Sequence, residues 1–387
     1  MAPNFAAFEK SEHLERLSRA RAVMAARGLV ACVIVAPEHL YYFGGYDSWV
    51  GVNSPQAMIL TAQDDTPTLI LRNVDLSLAL ETTWLEDIRT YQLHGDDFAA
   101  MVADVLGTKG VSGGPVGIEL QSYAVTHALG SALEQALSPI EVIDATELLG
   151  ALRLIKSPAE MQYLERAAHY TIQGLGAVYQ NLQPGITEIG LAAQIESAMR
   201  RAGSDFWAIP TELCSGDRTA GGHATPREKK IEAGELVHVE FAGVSQRYHA
   251  TALQTLAIGN PGARSREIYD IALASLRAGM AAITPGAAVA EVEEASLEPV
   301  RAHGLEHAAM MRFGYGIGIA YPPIWLETLQ IARGFDQTLE PGMVFVLHSC
   351  LELPDEGLGV IQGGTYAMTE TGLTKLVGAG DVDLMML

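Results

Sequence analysis

A chain of 387 residues is long for one average domain and comfortable for two. Hydrophobic residues make up 49% and charged residues 18%, enough for large buried cores, which excludes a disordered chain. Lys and Arg number 25 against 46 Asp and Glu, and a formal charge of −21 repels phosphate backbones and anionic membranes, so nucleic acid and membrane surfaces are not expected partners.

The first twenty residues, MAPNFAAFEKSEHLERLSRA, are amphipathic and charged without a signal-peptide core, and no apolar run approaches the ~20 residues needed to span a bilayer. The three cysteines (Cys32, Cys214, Cys350) lie far apart without CxxC spacing, which argues for a reducing cytoplasm and against a disulfide framework or a structural zinc. Residues 11–27 read as a helix with Leu14, Leu17, Val23 and Met24 on one buried face. LVACVIVA (29–36) is a short continuous apolar run rich in β-branched residues, as expected of a strand covered on both faces. AMILT (57–61) and TLILR (68–72) predict further strands, and LEDIRTYQ, a helix at 97–106, GPVGIEL, a helix at 124–137 and IEVIDAT (140–146) continue the alternation. Residues 1–150 are therefore expected to form an α/β domain.

A second domain is expected over residues 151–387. LRLIKSPAEMQYLERAAHYT (152–171) reads as a hinge and then a long helix, with Pro158 in its first turn and Met161, Leu164, Ala168, Ile172 and Leu175 at helical spacing. NLQPGITEIGLAAQIESAMRRAG (181–203) resembles AITPGAAVAEVEEASLEPVRAHG (282–304): Pro184-Gly185 and Pro285-Gly286 are 101 residues apart, as are Gly203 and Gly304. Each copy is a Pro-Gly turn, an amphipathic helix and a glycine able to stop it, followed by a β-rich, Gly-rich stretch. A period near 100 residues is too long for a solenoid and predicts two α+β halves related by pseudo-two-fold symmetry, with a site in the groove between them.

These landmarks resemble the pita-bread family, which includes methionine aminopeptidases, prolidases, creatinase and ectoine hydrolase. The hinge, the turn LQPGITE, the strand pair LVHVEFAGVSQRYHATALQT (236–255), FGYGIGIAYPP (313–323), EPGMVFVLHS (340–349) and LGVIQGGTYAMTETG (358–372) fall in the family's order and cover essentially the whole chain. The resemblance implies a creatinase-type N-terminal α/β domain joined to a pita-bread catalytic domain. It also implies positions for the five ligands (two Asp, one His, two Glu) with which metallo-members hold two metals. Here those positions read Glu240, Thr251, Tyr315, His348 and Gln362. A bridged pair of hard cations needs several carboxylates, and one remains, so neither a metal nor another cofactor is expected. A single zinc on Glu240 with His348, His249 or His223 stays open, since imidazole and carboxylate are its usual ligands.

Two branches of the family, creatinase and ectoine hydrolase, are implied to hydrolyse C–N bonds in small charged molecules without metal. GYDSW (45–49), Glu240, RYHA (247–250) and GYGIGIAYPPIW (314–325) read closer to ectoine hydrolase, while Gln254 stands in place of an expected Arg and Ile324 in place of an acidic residue. On this resemblance His223, in CSGDRTAGGHATP, moves a proton between water and the leaving nitrogen; imidazole titrates near neutrality and suits that task. Glu240, on the strand face shared with Leu236 and His238, partners a substrate cation or His223. Tyr315 donates to a developing oxyanion. Tyr248, His249, His348 and Gln362 line the substrate cavity. In a homodimer, Asp47, Trp49 and Asn53 of GGYDSWVGVNSPQ would reach over the partner's substrate, with Trp49 offering an aromatic face. Two other readings stand beside this one: a metallopeptidase with unusual ligands, and a catalytically silent pita-bread domain used as a binding module.

Overall fold

The computed structural model describes residues 4–63, 66–378 and 383–387, and its contacts divide the chain into Met1–Arg153 and Leu154–Leu387. The sequence reading divides it at 150/151. The structure keeps the short helix Thr146–Gly150 and the turn Ala151–Arg153 with the first unit, where the Tyr42 hydroxyl donates to Leu152 O at 2.9 Å.

The first unit runs α1 (Lys10–Ala26), β1 (Ala31–Ile34), α2 (Pro37–Gly44), β2 (Ala57–Thr61), β3 (Thr68–Arg72), α3 (Leu76–Thr82), β4 (Asp87–Tyr91), α4 (Phe98–Thr108), β5 (Val116–Ile118), α5 (His127–Leu137), β6 (Val142–Asp144) and α6 (Thr146–Gly150). Its mixed sheet has the order β4-β3-β2-β1-β5-β6, with β1, β2 and β3 antiparallel neighbours and the outer pairs parallel. β1 sits at the centre and every one of its residues is buried, which is why its sequence is continuously apolar. The buried face of α1 is His13, Arg16, Leu17, Ala20 and Met24, whereas Leu14 is 44% exposed. At about 100° per residue Leu14 is about 60° from Leu17 but about 100° from His13, at the centre of the buried stripe, so apolarity alone misassigned it. Asp47 is half-buried, and Trp49 and Asn53 are exposed, all three in this unit beside the 3₁₀ turn Val50–Val52.

The second unit opens on α7 (Pro158–Asn181). Ser157 accepts from Glu160 N at 3.2 Å while Glu160 accepts from Ser157 N at 2.9 Å, a reciprocal cap that satisfies two otherwise orphaned donors and starts the helix at Pro158. Along it Leu164, Ala168 and Leu175 are buried as expected, but Ile172 is 49% exposed. Then follow α8 (Glu188–Ala202), β7 (Glu212–Ser215), β8 (Leu236–Ser245), β9 (Tyr248–Ala257), α9 (Ala263–Ala281), α10 (Val289–Ala302), β10 (Gly314–Tyr321), β11 (Ile324–Ile331), β12 (Val344–Leu353), β13 (Leu358–Thr369) and β14 (Gly372–Gly378). The antiparallel sheet has the order β11-β10-β12-β13-β9-β8-β7, with β14 also on β13 and a bridge between β10 and β9.

The internal repeat is visible in the backbone. Gly185 and Gly286 take φ of +93° and +86°, Gly203 and Gly304 take +109° and +70°, and α8 and α10 fill the space between. Each half also has an antiparallel bridge at the start of its helix, Thr187 to Lys230 and Ala288 to Thr338, the first members again 101 residues apart. The helices cover one sheet face in two blocks. Val237, Val239 and Phe241 pack with Leu164's helix and with Leu191, Ile195 and Met199, while Phe345, Leu347, Tyr366 and Met368 pack with Leu276, Val289 and Val292. Because side chains alternate along a strand, this fixes which residues are left for the opposite face.

Candidate active site

Strand register assembles the uncovered face. Glu212 pairs with Glu240, Glu240 with Leu253, Leu253 with Gly363, and Gly363 with His348, so one transverse row crosses β7, β8, β9, β13 and β12. Residues paired in register point to the same side of a sheet. Four members of the row, Glu212, Glu240, Leu253 and His348, line a cavity of about 560 Å³, together with His223, Arg312, Tyr315, Ile324, Trp325 and Ile361 among others. Gly363 supplies no side chain, and a Cβ there would lie 2.2 Å from Leu347 O and 2.7 Å from the His348 Cβ, so the site keeps a glycine for close approach of β12.

Of the residues expected from the sequence, the cavity brings together His223, Glu240, Tyr315 and His348. Three others do not line it. The Tyr248 hydroxyl donates to Glu160 Oε1 at 2.8 Å and its ring stacks on Tyr163, which ties β9 to the start of α7. His249 donates from Nδ1 to Arg247 O at 2.8 Å and accepts at Nε2 from Ala208 N at 3.0 Å, an arrangement that holds the neutral ring behind Trp325. Gln362 is one residue out of phase: its amide donates to Thr255 O at 3.1 Å, and its neighbour Ile361 faces the cavity instead. Gln254 likewise turns away and accepts from the Tyr179 hydroxyl at 2.8 Å. Asp47, Trp49 and Asn53 belong to the first unit.

The electrostatics of the cavity follow from burial. The Glu212 carboxyl is pushed from 4.5 up to about 7 by desolvation. Glu240, 8% exposed, is raised well above its ordinary value by burial first and the Glu212 charge second, opposed by a hydrogen bond from Tyr315. Burial and the Glu240 charge also raise the Tyr315 phenol. Trp325 Nε1 donates to the Tyr315 oxygen at 3.0 Å, so the phenol oxygen is an acceptor on that side and its proton serves Glu240. His348 is lowered to about 4 by burial and then by Arg312 and His223, and its buried Nδ1 has no hydrogen-bond partner among the described residues. A neutral imidazole therefore lies 5.9 Å, ring to ring, from Tyr315.

His223 stands exposed on the rim, on a loop whose ends are fixed by one buried carboxylate. Glu188 accepts from Ser215 N at 2.8 Å and Ser215 Oγ at 2.9 Å on the near side, from Arg227 N at 3.0 Å on the far side, and from Arg218 between them. The 3₁₀ turn Gly216–Ala220 leads into the loop and lies against β13 so closely that a Cβ at Gly359 would sit 1.9 Å from Thr219 O.

The positions that hold metals in metallo-members fail a donor test here. Of the five, Glu240 and His348 keep a donor in the cavity, whereas the Thr251 hydroxyl donates to Phe241 O at 3.0 Å, Tyr315 is engaged with Trp325 and Glu240, and Gln362 faces the helices. Among the described residues no three His, Cys, Asp or Glu side chains converge as a metal site. These residues do not fit a dimetal pair. The row does contain a functional group that sequence reasoning missed: Glu212. The signal available was an acidic residue inside the apolar run before the Gly-rich loop, PTELCSG.

Comparison with known proteins agrees with this architecture. Residues 162–370 match the model of metallopeptidase family M24, and residues 16–155 match the creatinase/prolidase N-terminal domain. The ectoine hydrolase of Halomonas elongata is 29% identical over 390 residues, covering 95% of this chain and 96% of that protein. The creatinase of a Bacillus species is 24% identical over 358 residues, covering 90% and 85%. The structure of an Xaa-Pro dipeptidase from Bacillus anthracis superposes with a TM-score of 0.85 at 22% identity, over 97% of this chain and all of that one. Among the described residues no helix is long and apolar enough to cross a membrane. The chain belongs to metallopeptidase family M24 and is a two-domain hydrolase of that family.

Proposed function

We propose that this M24-family hydrolase cleaves a non-peptide C–N bond in a small charged molecule without a metal, in the manner of the ectoine hydrolase and creatinase it resembles. The observation that carries this reading is the donor set of the cavity: at the family's metal positions it offers Glu240, Tyr315 and His348, with His223 on the rim. Such groups bind, polarise and protonate, which is what hydrolysis of an amidine or guanidine carbon requires.

In the proposed sequence the substrate's C=N carbon lies beside Glu240 and Tyr315. A water on the rim gives a proton to His223 as its oxygen bonds to that carbon. The tetrahedral intermediate then collapses with cleavage of the C–N bond, and His223 returns the proton to the leaving nitrogen. The Tyr315 proton serves Glu240, so an oxyanion role for Tyr315 requires the substrate to take over that hydrogen bond. His223→Ala removes the proton carrier and should lower turnover by about two to four orders of magnitude while leaving the melting profile unchanged. The homodimer in which Asp47, Trp49 and Asn53 reach a partner's substrate, in the cytoplasm, belongs to the same proposal; sedimentation showing a monomer would remove it.

The test is turnover of ectoine and creatine with and without exhaustive chelation, beside elemental analysis of the purified protein. Activity on either compound in metal-free protein supports the reading. Stoichiometric metal with activity lost on chelation returns the chain to metallopeptidase chemistry. Metal-free protein inert toward both compounds and toward proline dipeptides supports a binding module instead.

A further inference from the structure

The proposed chemistry leaves one carboxylate in the cavity without a task. Glu212 on β7 lies in register with Glu240 on β8, and both side chains line the same space. Like charges directly opposite one another on an antiparallel pair destabilise the sheet, and a buried carboxylate oxygen without a partner adds to that cost. Glu212 Oε2 is such an oxygen: it is buried and has no hydrogen-bond partner among the described residues. At the other end of the row His348, 4% exposed, faces the cavity with its Nδ1 also unpartnered. Between them Leu253 and Gly363 offer no polar side chain. The guanidinium among the lining residues, Arg312, donates to Gln330 at the open side. The fold therefore holds two adjacent carboxylates in place, and among the described residues no Lys, Arg or His forms an ion pair with either.

We infer that Glu212 and Glu240 form a clamp for a planar cationic N–C–N group on the substrate, an amidinium or guanidinium, with Glu212 selecting the cation over a neutral amide. The inference rests on the reading above only in placing the substrate in this cavity. Residues opposite one another on an antiparallel pair have Cβ atoms roughly 4.5–5.5 Å apart, which sets two carboxylates side by side. An amidinium carries N–H donors on both edges of its plane and can donate to each carboxylate at once. A neutral amide presents a carbonyl oxygen on one edge, which one of the two carboxylates would repel. Leu253, Ile361 and Trp325 line the same space and accept the apolar remainder of such a molecule. Burial already holds both carboxyls above their ordinary range, a cost that a bound cation relieves. The other titratable groups near this pair are Tyr315, Cys214 and Cys350, with His223, His348 and Arg312 in the same cavity; the one fixed positive charge among them, Arg312, acts on Tyr315 and His348 rather than on the two carboxyls.

The experiment is isothermal titration of the full chain with benzamidinium and with benzamide, repeated on Glu212→Gln. The wild-type chain is expected to bind benzamidinium about ten-fold or more tightly than benzamide. Glu212→Gln should lose about ten-fold or more for benzamidinium and keep its benzamide affinity, which also reports an intact cavity. Equal affinities of the wild-type chain for the two probes would overturn the clamp without reference to any variant. So would a Glu212→Gln chain that binds benzamidinium as the wild type does, or that loses both probes alike. Because binding is read without turnover, the two ideas fail separately. A chain that prefers benzamidinium yet hydrolyses neither ectoine nor creatine overturns the hydrolytic reading alone, and one that hydrolyses without a Glu212-dependent preference overturns the clamp alone.

Discussion

Replacing Glu212 by Gln should make the fold more stable at alkaline pH and leave it unchanged near pH 4.5. In the fold this carboxyl ionises at about 7 rather than 4.5, chiefly because it is buried. Below its ordinary value the group is neutral in folded and unfolded chain alike, and burial carries no charge penalty. As pH rises the unfolded chain ionises first, so the folded state loses ground until pH passes about 7, after which the loss is constant. A rise of that size corresponds to about 3 kcal/mol, at about 1.4 kcal/mol for each tenfold change in acidity. Partial exposure and the shared field of Glu240 reduce the expected figure to about 2 kcal/mol. Glutamine keeps the shape, removes the charge and turns a donor toward Glu240 in place of a second anion. Differential scanning calorimetry at pH 4.5 and pH 8 reads the effect, and about 2 kcal/mol in a unit of this size raises Tm by roughly 4–8 °C. The reasoning is refuted if the variant melts with the wild type at pH 8, or if its gain is as large at pH 4.5.

Four further variants probe the frame of the site. Tyr315→Phe takes away the acceptor of Trp325 Nε1 and the donor to Glu240, and should cost about 1–3 kcal/mol in chemical denaturation together with a fall in turnover. Gly359→Ala forces the backbone of the Gly216–Ala220 turn away from β13, so steady-state kinetics should show kcat falling more than KM rises as His223 moves off its position. Lys156 and Glu327 form a buried ion pair at 2.5 Å. Lys156→Met alone should therefore cost about 3–5 kcal/mol by leaving a buried anion, and Lys156→Met with Glu327→Leu should recover most of it, as measured by urea unfolding.

How far the sequence reaches is visible strand by strand. The first unit was readable because its strands are short apolar runs set between helices, and AMILT and TLILR appear at their expected limits as β2 and β3. Pro158 in the first turn placed the start of α7, and the structure adds the reciprocal Ser157 and Glu160 bonds, which need only local chain. Helix faces were less secure. Leu14 and Ile172 are apolar residues on exposed sides, and composition cannot tell such a residue from a core one until the neighbour is known.

The site divides along the same physical line. His223, Glu240, Tyr315 and His348 were legible because each sits in a run long enough to place it against the family's order. Gln362 was not, because a strand alternates with period two and a displacement of one residue exchanges the cavity face for the helix face. That displacement matters chemically: the cavity-facing place beside His348 holds Gly363, so the row lacks a carboxylate on β13 where an alignment by eye would put a polar amide. Glu212 was invisible for a different reason. β7 has only four residues, too few for a pattern, and its meaning comes wholly from its register with β8. A carboxylate absent from the middle of the row and present at its end moves the negative charge of the cavity to the β7–β8 side. On the proposed reading, this displacement suits the cavity to an organic cation rather than to a bridged pair of metal ions.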